Sequence, residues 1–317
     1  MAFLMTVQGP IDAARAGFIL PHEHLVVDFS GEDVPGTLRF HEDQASSVIL
    51  PHLDEAKRRG VTTLFECTPA YLGRAPSFLR RLSKQSGMHV VTNTGYYGAA
   101  QDKFLPRVVW ELSPEQIAFR WIQEWKQGIG DSNVFPGFIK IGVDPGRLSE
   151  VDERLVRAAA LTCRATGLTI ASHTTDRLSM EHQIALLIEE GVSSNRFVWV
   201  HAQSVRDTQF LVDVARRGVW LEFDGIQEST VEEHVSLVRD IRDAGLLDRV
   251  LLSHDAGWYS VGEPNGGTFR GFTTLIEKVL PALRQIGFHE EALQQLCRTN
   301  PARAFAIDAA PPLGVPA

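Results

Sequence analysis

Two histidines one residue apart, His22 and His24, follow directly on the apolar run Gly17-Phe18-Ile19-Leu20. In a strand, residues two apart point the same way, so both imidazoles project from one face and can grip one cation. A lone His-x-His is more often incidental than metal-binding, and its meaning depends on further ligands. Those appear at the ends of other apolar runs. Glu66 follows Val61-Thr-Thr-Leu-Phe65, and Asn93-Thr94-Gly95-Tyr96-Tyr97 follows the next run. Lys140 lies inside Phe138-Ile139-Lys140-Ile141-Gly142. His173, His201, Glu222, Asp224 and Asp255 close four later runs. Lys140, flanked by isoleucines, points inward, where an ammonium is costly unless paired. Burial favours the neutral form of an amine, which adds carbon dioxide to give a carbamate whose two oxygens can bridge two cations. The alternative is an ordinary lysine paired with Glu66 or Asp255.

The elements that must position these groups follow a rhythm of apolar strand and amphipathic helix. Strands are expected near 18–25, 61–68, 89–95, 138–144, 169–175, 197–203, 219–226 and 250–256. Helices are expected near 44–59, 75–86, 114–128, 151–166, 178–190, 206–217, 231–245, 271–286 and 289–298. Gly60, Gly87, Gly167, Gly191, Gly218 and Gly245 stand where helices should end. The strands are apolar on both faces, as in a parallel sheet covered by helices. Eight such units predict a (β/α)8 barrel, in which all strand C-termini meet at one face and residues from position 22 to 255 converge on one cavity. A doubly wound sheet is the competitor, but no G-x-G-x-x-G follows a strand.

The chain has 317 residues, 44% hydrophobic and 22% charged, with a net charge of −8. One barrel domain over 1–317 is expected, with an N-terminal β-hairpin in 1–17 and a flexible tail at 308–317. No basic block points to nucleic acid. The apolar runs fall far short of the ~20 residues that span a bilayer. Cys67, Cys163 and Cys297 are odd in number and far apart, which argues against disulfides and for a reducing, cytoplasmic setting. The partner is then a small molecule. Trp110, Trp121 and Trp125 are expected to pack helices or a homodimer contact. His41, His52, His89, His182, His234 and His289 fall outside the strand ends and are read as surface or local structural residues.

In this order the motifs resemble the phosphotriesterase family of the amidohydrolase superfamily. The matching stretches are Pro21-His22-Glu23-His24, Ile139-Lys140, Ser172-His173-Thr174, Val200-His201-Ala202, Ser253-His254-Asp255 and Thr299-Asn300-Pro301-Ala302-Arg303. The resemblance implies a barrel with two divalent metals. His22, His24 and Asp255 would hold the more buried ion, and His173 and His201 the more exposed one. N6-carboxylated Lys140 and a hydroxide would bridge them, and Asp255 would carry the proton to the leaving group. Such a ligand set suits zinc, with manganese or cobalt as alternatives. His254 should face away from the barrel interior.

For the substrate, Gly95-Tyr96-Tyr97 is similar to the corresponding turn of the phosphotriesterase-like lactonases, with Tyr97 approaching the substrate. Asp224-Gly225 lacks the basic partner often found after the seventh strand. Ala202-Gln203-Ser204 replaces the acidic cluster of the organophosphate hydrolases. Residues 256–270 read as a long loop over the barrel mouth, with Trp258 as a wall and Arg270 as a fork for carboxylate or phosphate. The alternative for Arg270 is a loop cap or a pair with Glu263. Glu66 and Asp224 are expected to make the pocket polar. The expected reaction is hydrolysis of a lactone or other carboxylic ester of a small polar molecule. An amide, a phosphoester and a non-catalytic binding protein are the alternatives.

Overall fold

The computed structural model describes residues 2–30 and 39–312. The expected hairpin is present as antiparallel β1 (Phe3–Thr6) and β2 (Gly9–Asp12). It seals one end of the fold. Val7 N donates to Val90 O at 2.8 Å, and Phe3 and Ile307 exchange backbone hydrogen bonds of 3.1 and 2.9 Å. Ile307 and Asp308, which pairs with Arg196 at 3.6 Å, are therefore tied into the fold. Of the expected flexible tail, residues 313–317 lie outside the described residues.

The barrel strands are β3 (Phe18–Val27), β4 (Val61–Glu66), β5 (His89–Val91), β6 (Asn93–Thr94), β7 (Phe138–Gly142), β8 (Ile170–His173), β9 (Phe197–Val200), β10 (Trp220–Phe223) and β11 (Val250–Leu252). Their neighbours pair in parallel. The crossovers are α1 (Glu42–Arg58), α2 (Pro76–Ser86), α3 (Pro114–Gln127), α4 (Glu150–Thr166), α5 (Arg177–Glu189), α6 (Thr208–Arg216) and α7 (Val231–Asp243). A π-helical turn at Leu275–Val279 runs on as α8 (Leu280–Gln285). The architecture is a (β/α)8 barrel. The expected third strand changes partner at Thr92, with β5 on β4 and β6 on β7. Among the described residues, no helix is long and apolar enough to cross a membrane.

Inward-facing residues plug the lower barrel. Ile19, Phe65, Phe138, Val198 and Leu251 pack with Leu4 from the hairpin and Phe305 from α9 (Asn300–Phe305). The rings of Phe65, Phe138 and Phe305 lie 4.4 to 5.6 Å apart, within the range of favourable aromatic packing. Oily side chains thus fill the lower half, and polar residues are left to the strand C-termini. Trp121 is buried among the helices, while Trp110 is 46% exposed.

The seam between the first and last strands departs from expectation. The predicted strand 250–256 stops at Leu252. Residues 253–256 turn, and β12 (Gly257–Ser260) then adds parallel to His24–Val27 of β3. The long loop expected over 256–270 therefore contains a strand. The cause is a side chain: the Glu23 carboxylate takes the donors that would otherwise extend the ladder. Ser253 Oγ donates to its Oε1 at 2.8 Å, His254 N to the same atom at 3.0 Å, and Ala256 N to Oε2 at 2.9 Å. Two backbone bonds complete the closure, Asp255 N to His22 O at 3.1 Å and His24 N to Ala256 O at 2.8 Å.

Gly257 carries the chain out of this turn at φ 97°, and a Cβ there would stand 1.8 Å from His24 O. Gly257→Ala adds left-handed strain to a backbone clash. It is expected to cost at least ~2 kcal/mol in urea unfolding. A wild-type midpoint would contradict this account of the seam.

Candidate metal centre

His22 and His24 leave β3 on its inner face, and Glu23 leaves on the other. His22 Nε2 and His24 Nε2 stand 3.3 Å apart. Asp255 Oδ1 is 3.1 Å from His24 Nε2 and 3.6 Å from His22 Nε2. That oxygen is buried yet makes no hydrogen bond among the described residues. Three lone-pair donors aimed at one point, with an orphaned carboxylate oxygen among them, fit a divalent cation. His201, Asp224 and Asp255 converge in the same way, each offering one atom within 4.8 Å of the others. The His173 ring stands edge-on to His201 at 4.4 Å, on the more open side of the site.

Lys140 projects from β7 with 2% exposure. Its Nζ forms no ion pair among the described residues, so the alternative of pairing with Glu66 or Asp255 is not realised. Its single hydrogen bond is a long one, 3.5 Å to Ile141 O, and the Tyr97 ring centroid lies 5.7 Å away. A buried amine so poorly satisfied fits conversion to an anionic ligand.

A second layer orients the imidazoles. His22 Nδ1 meets Glu222 Oε1 at 2.7 Å and Asp224 Oδ2 at 3.1 Å. His24 Nδ1 meets Thr68 Oγ1 at 2.8 Å. His201 Nδ1 meets Asp224 Oδ1 at 2.5 Å. One carboxylate, Asp224, thus holds a ring on each side of the site, which is how metal-bound histidines are usually fixed. Gln203 Nε2 donates to Asp224 Oδ1 at 2.7 Å, and His234 Nε2 reaches Asp224 O at 2.8 Å. Burial lowers the pKa of His24 and of His173, and the proximity of His201 and Lys140 pushes His173 further down. Neutral imidazole is the form that binds a cation. Burial would raise Asp255, but His22 and His24 hold it below the usual carboxylate range.

Several predicted residues sit elsewhere than expected. Asp224 is wholly buried and Glu66 is 1% exposed, so neither faces an open pocket. A carboxylate at a strand end can point behind the rings as easily as into the mouth, and here the imidazoles and the Leu25 amide claim them. Arg270 does not pair with Glu263. Its Nη2 donates to Asp255 O and, at 3.4 Å, to His254 O, so it caps the loop. Tyr97 and Trp258 do stand at the mouth. Tyr97 Oη lies 3.3 Å from His173 Nδ1, and Trp258 lies over the His24 ring at 4.4 Å and stacks on Phe29 at 5.7 Å. Gly142 makes room for Tyr97, since a Cβ would meet its ring at 2.7 Å.

The residues that sequence reading missed are Glu23, Thr68, Gln203 and, as a support of Asp224, His234. Glu23 had a signal: an acid between two inward ligands must point outward into a buried layer and needs donors there. His254 faces away from the interior, as expected. Its Nδ1 meets Glu23 Oε1 at 2.6 Å, and its Nε2 accepts from Leu275 N at 3.0 Å.

The model of the phosphotriesterase family matches residues 2–305. The chain belongs to the phosphotriesterase family. As a member it resembles the phosphotriesterase homology protein of Escherichia coli K12, 32% identical over 293 residues, covering 91% of this chain and 98% of that one. It resembles the phospho-furanose lactonase of Mycoplasmopsis synoviae at 26% identity, covering 96% and 92% of the two chains. Its fold superposes on the organophosphorus hydrolase of Deinococcus radiodurans with a TM-score of 0.81 at 28% identity, covering 96% of each chain. This phosphotriesterase-family chain is a hydrolase, with clusters of histidine and aspartate able to hold metal.

Two outcomes test the architecture. Glu23→Gln sets an amide N–H₂ against donors and is expected to cost ~2–4 kcal/mol in urea unfolding while weakening metal affinity. Unchanged values for both would refute the pin. Burial pushes the Glu66 carboxyl from 4.5 up to about 8. The folded chain then keeps a proton that the unfolded chain has released, so this group's contribution to stability falls as pH rises through that window. Glu66→Gln keeps the acceptor for Leu25 N and removes the titration. Its unfolding midpoint should gain on wild type from pH 4.5 to about 8, and a constant gap would refute the assignment.

Proposed function

We propose that the chain is a binuclear metal-dependent hydrolase acting on a lactone or other carboxylic ester of a small polar molecule. The observation that carries the metal part is the orphaned Asp255 Oδ1 facing two imidazole nitrogens, beside an unpaired buried Lys140. His22, His24 and Asp255 would hold the inner ion and His173 and His201 the outer one, with carboxylated Lys140 between them. Imidazole and carboxylate donors favour zinc, and manganese or cobalt suit the same set. When bound, the ion pair supplies Lewis acidity and a water that ionises near neutral pH.

The chain's own groups do the rest. Asp255 is buried beside His22 and His24 but keeps 23% of its side chain exposed, so its carboxylate can take a proton at the site and hand it to a leaving oxygen. Asp224 fixes the His22 and His201 rings, so neither must reorient during the reaction. Tyr97 Oη, beside His173, can orient the substrate's acyl group, and Trp258 walls off water over His24. The lactone reading draws support from the Gly95-Tyr96-Tyr97 turn and from the lactonase among the relatives. The absence of an acidic cluster after His201 counts against a phosphoester. The same constellation could open an amide, and a panel of ester, amide and phosphate versions of one scaffold separates these.

Lys140→Ala is expected to leave fewer than two ions per chain on metal-replete purification and to lower ester turnover by at least ~100-fold. Two retained ions together with wild-type rates would overturn the bridging role.

A further inference from the structure

A cavity of about 450 Å³ opens beside the metal centre, between the loops that follow β10 and β11. Ala256, the neighbour of Asp255, forms part of its wall, with Ile226, Gln227, Ser229, Arg270 and Thr274. Ser229 stands just ahead of α7, and Thr274 just ahead of the continuous helical stretch that starts at Leu275. Each helix start places positive dipole toward the loops around the cavity.

Arg270 is the independent observation. It is half-buried and makes no ion pair among the described residues. Only its Nη2 is engaged, on the carbonyls of His254 and Asp255. Its Nε–H and both Nη1 hydrogens have no hydrogen-bond partner among the described residues. Arg270 lines the cavity, so its remaining planar N–H donors are open to a carboxylate or phosphate that enters it. The acid in the cavity wall, Glu228, is exposed and forms no pair with Arg270. In barrels of this class the loops after the last two strands, with a helix start, are a recurrent place for anionic groups.

We propose that this cavity receives an anionic oxygen group of the substrate, a carboxylate or phosphate, with Arg270 as its charge partner. Gln227, Ser229 and Thr274 supply further donors, and Glu228 accepts from substrate hydroxyls. The assignment rests on the ester-hydrolase reading above and narrows it: the substrate is an acid as well as an ester. Arg270 has a second task, since the same guanidinium holds the carbonyl of Asp255, so occupancy of the cavity and placement of Asp255 share one side chain.

The test uses metal-loaded enzyme and aryl esters carrying a terminal carboxylate or a terminal phosphate, each against its neutral methylated counterpart. Wild type should favour the charged ester by about 10- to 100-fold in kcat/KM. Arg270→Met should abolish that ratio, mostly through KM, whatever it does to the rate on both esters. Thr274→Val, which leaves Asp255 untouched, should reduce it. The more favoured of carboxylate and phosphate identifies the group. In parallel, succinate or inorganic phosphate should raise the Tm of chelator-treated wild type and leave Arg270→Met unmoved. Equal rates on charged and neutral esters in wild type overturn the proposal, as does a preference that survives Arg270→Met. If no ester is turned over but the anion-dependent rise in Tm is present and lost in the variant, the hydrolase reading fails and the anion site stands.

Discussion

One carboxylate closes this barrel. Glu23 takes hydrogen bonds from Ser253 Oγ, from the His254 backbone and ring, and from Ala256 N, all from the opposite side of the seam. A buried carboxylate is tolerated only when its lone pairs are met, and here the donors come from the segment that must carry Asp255 to the site. The seam is therefore not a ladder repeated once more. It is a polar clasp that stops β11 early, turns the chain and lets β12 continue along β3. Through His254 Nε2 the clasp also reaches Leu275 N, so the first barrel strand, the segment after β11 and the helical stretch that starts at Leu275 are tied to one group.

Above the clasp, ligand geometry is held under backbone strain. Asp255 and His201 adopt φ of 49° and 65°, and Trp258 adopts 75°. Non-glycine residues pay for this conformation, and such strain persists only where surrounding contacts enforce it. For Asp255 the contacts are Arg270 and Trp258 Nε1 on its carbonyl, and for His201 they are Asp224 on its ring and its amide. The apolar plug beneath gives these strained groups a floor that does not yield. Ile19, Phe65, Phe138 and Phe305 are buried together just below the polar layer.

Much of this was legible in the sequence because strand alternation and barrel topology are local rules with global consequences. His22 and His24 share a face by period two, and Lys140, His173, His201 and Asp255 fall at strand ends that topology brings together. The helix ends were readable too, since Gly60, Gly87, Gly167, Gly191, Gly218 and Gly245 all take positive φ. What could not be read is which way a strand-end acid points once several compete for few donors. Glu66 and Asp224 resemble pocket residues in sequence, yet Leu25 N and two imidazoles draw them inward. The same limit hid β12, whose start depends on a side chain more than two hundred residues away.

That separation bears on when the site can exist. Glu23 and His254 lie 231 positions apart, and His22 and Asp255 of the candidate metal centre flank the same divide. Bringing such distant segments together carries the entropic cost of closing the loop between them. A nascent chain with its first strand already out can offer only a two-histidine fragment. The cluster able to hold a metal is complete only once the segment carrying Asp255 has docked against β3, so any ion bound there would report on nearly the whole folded chain.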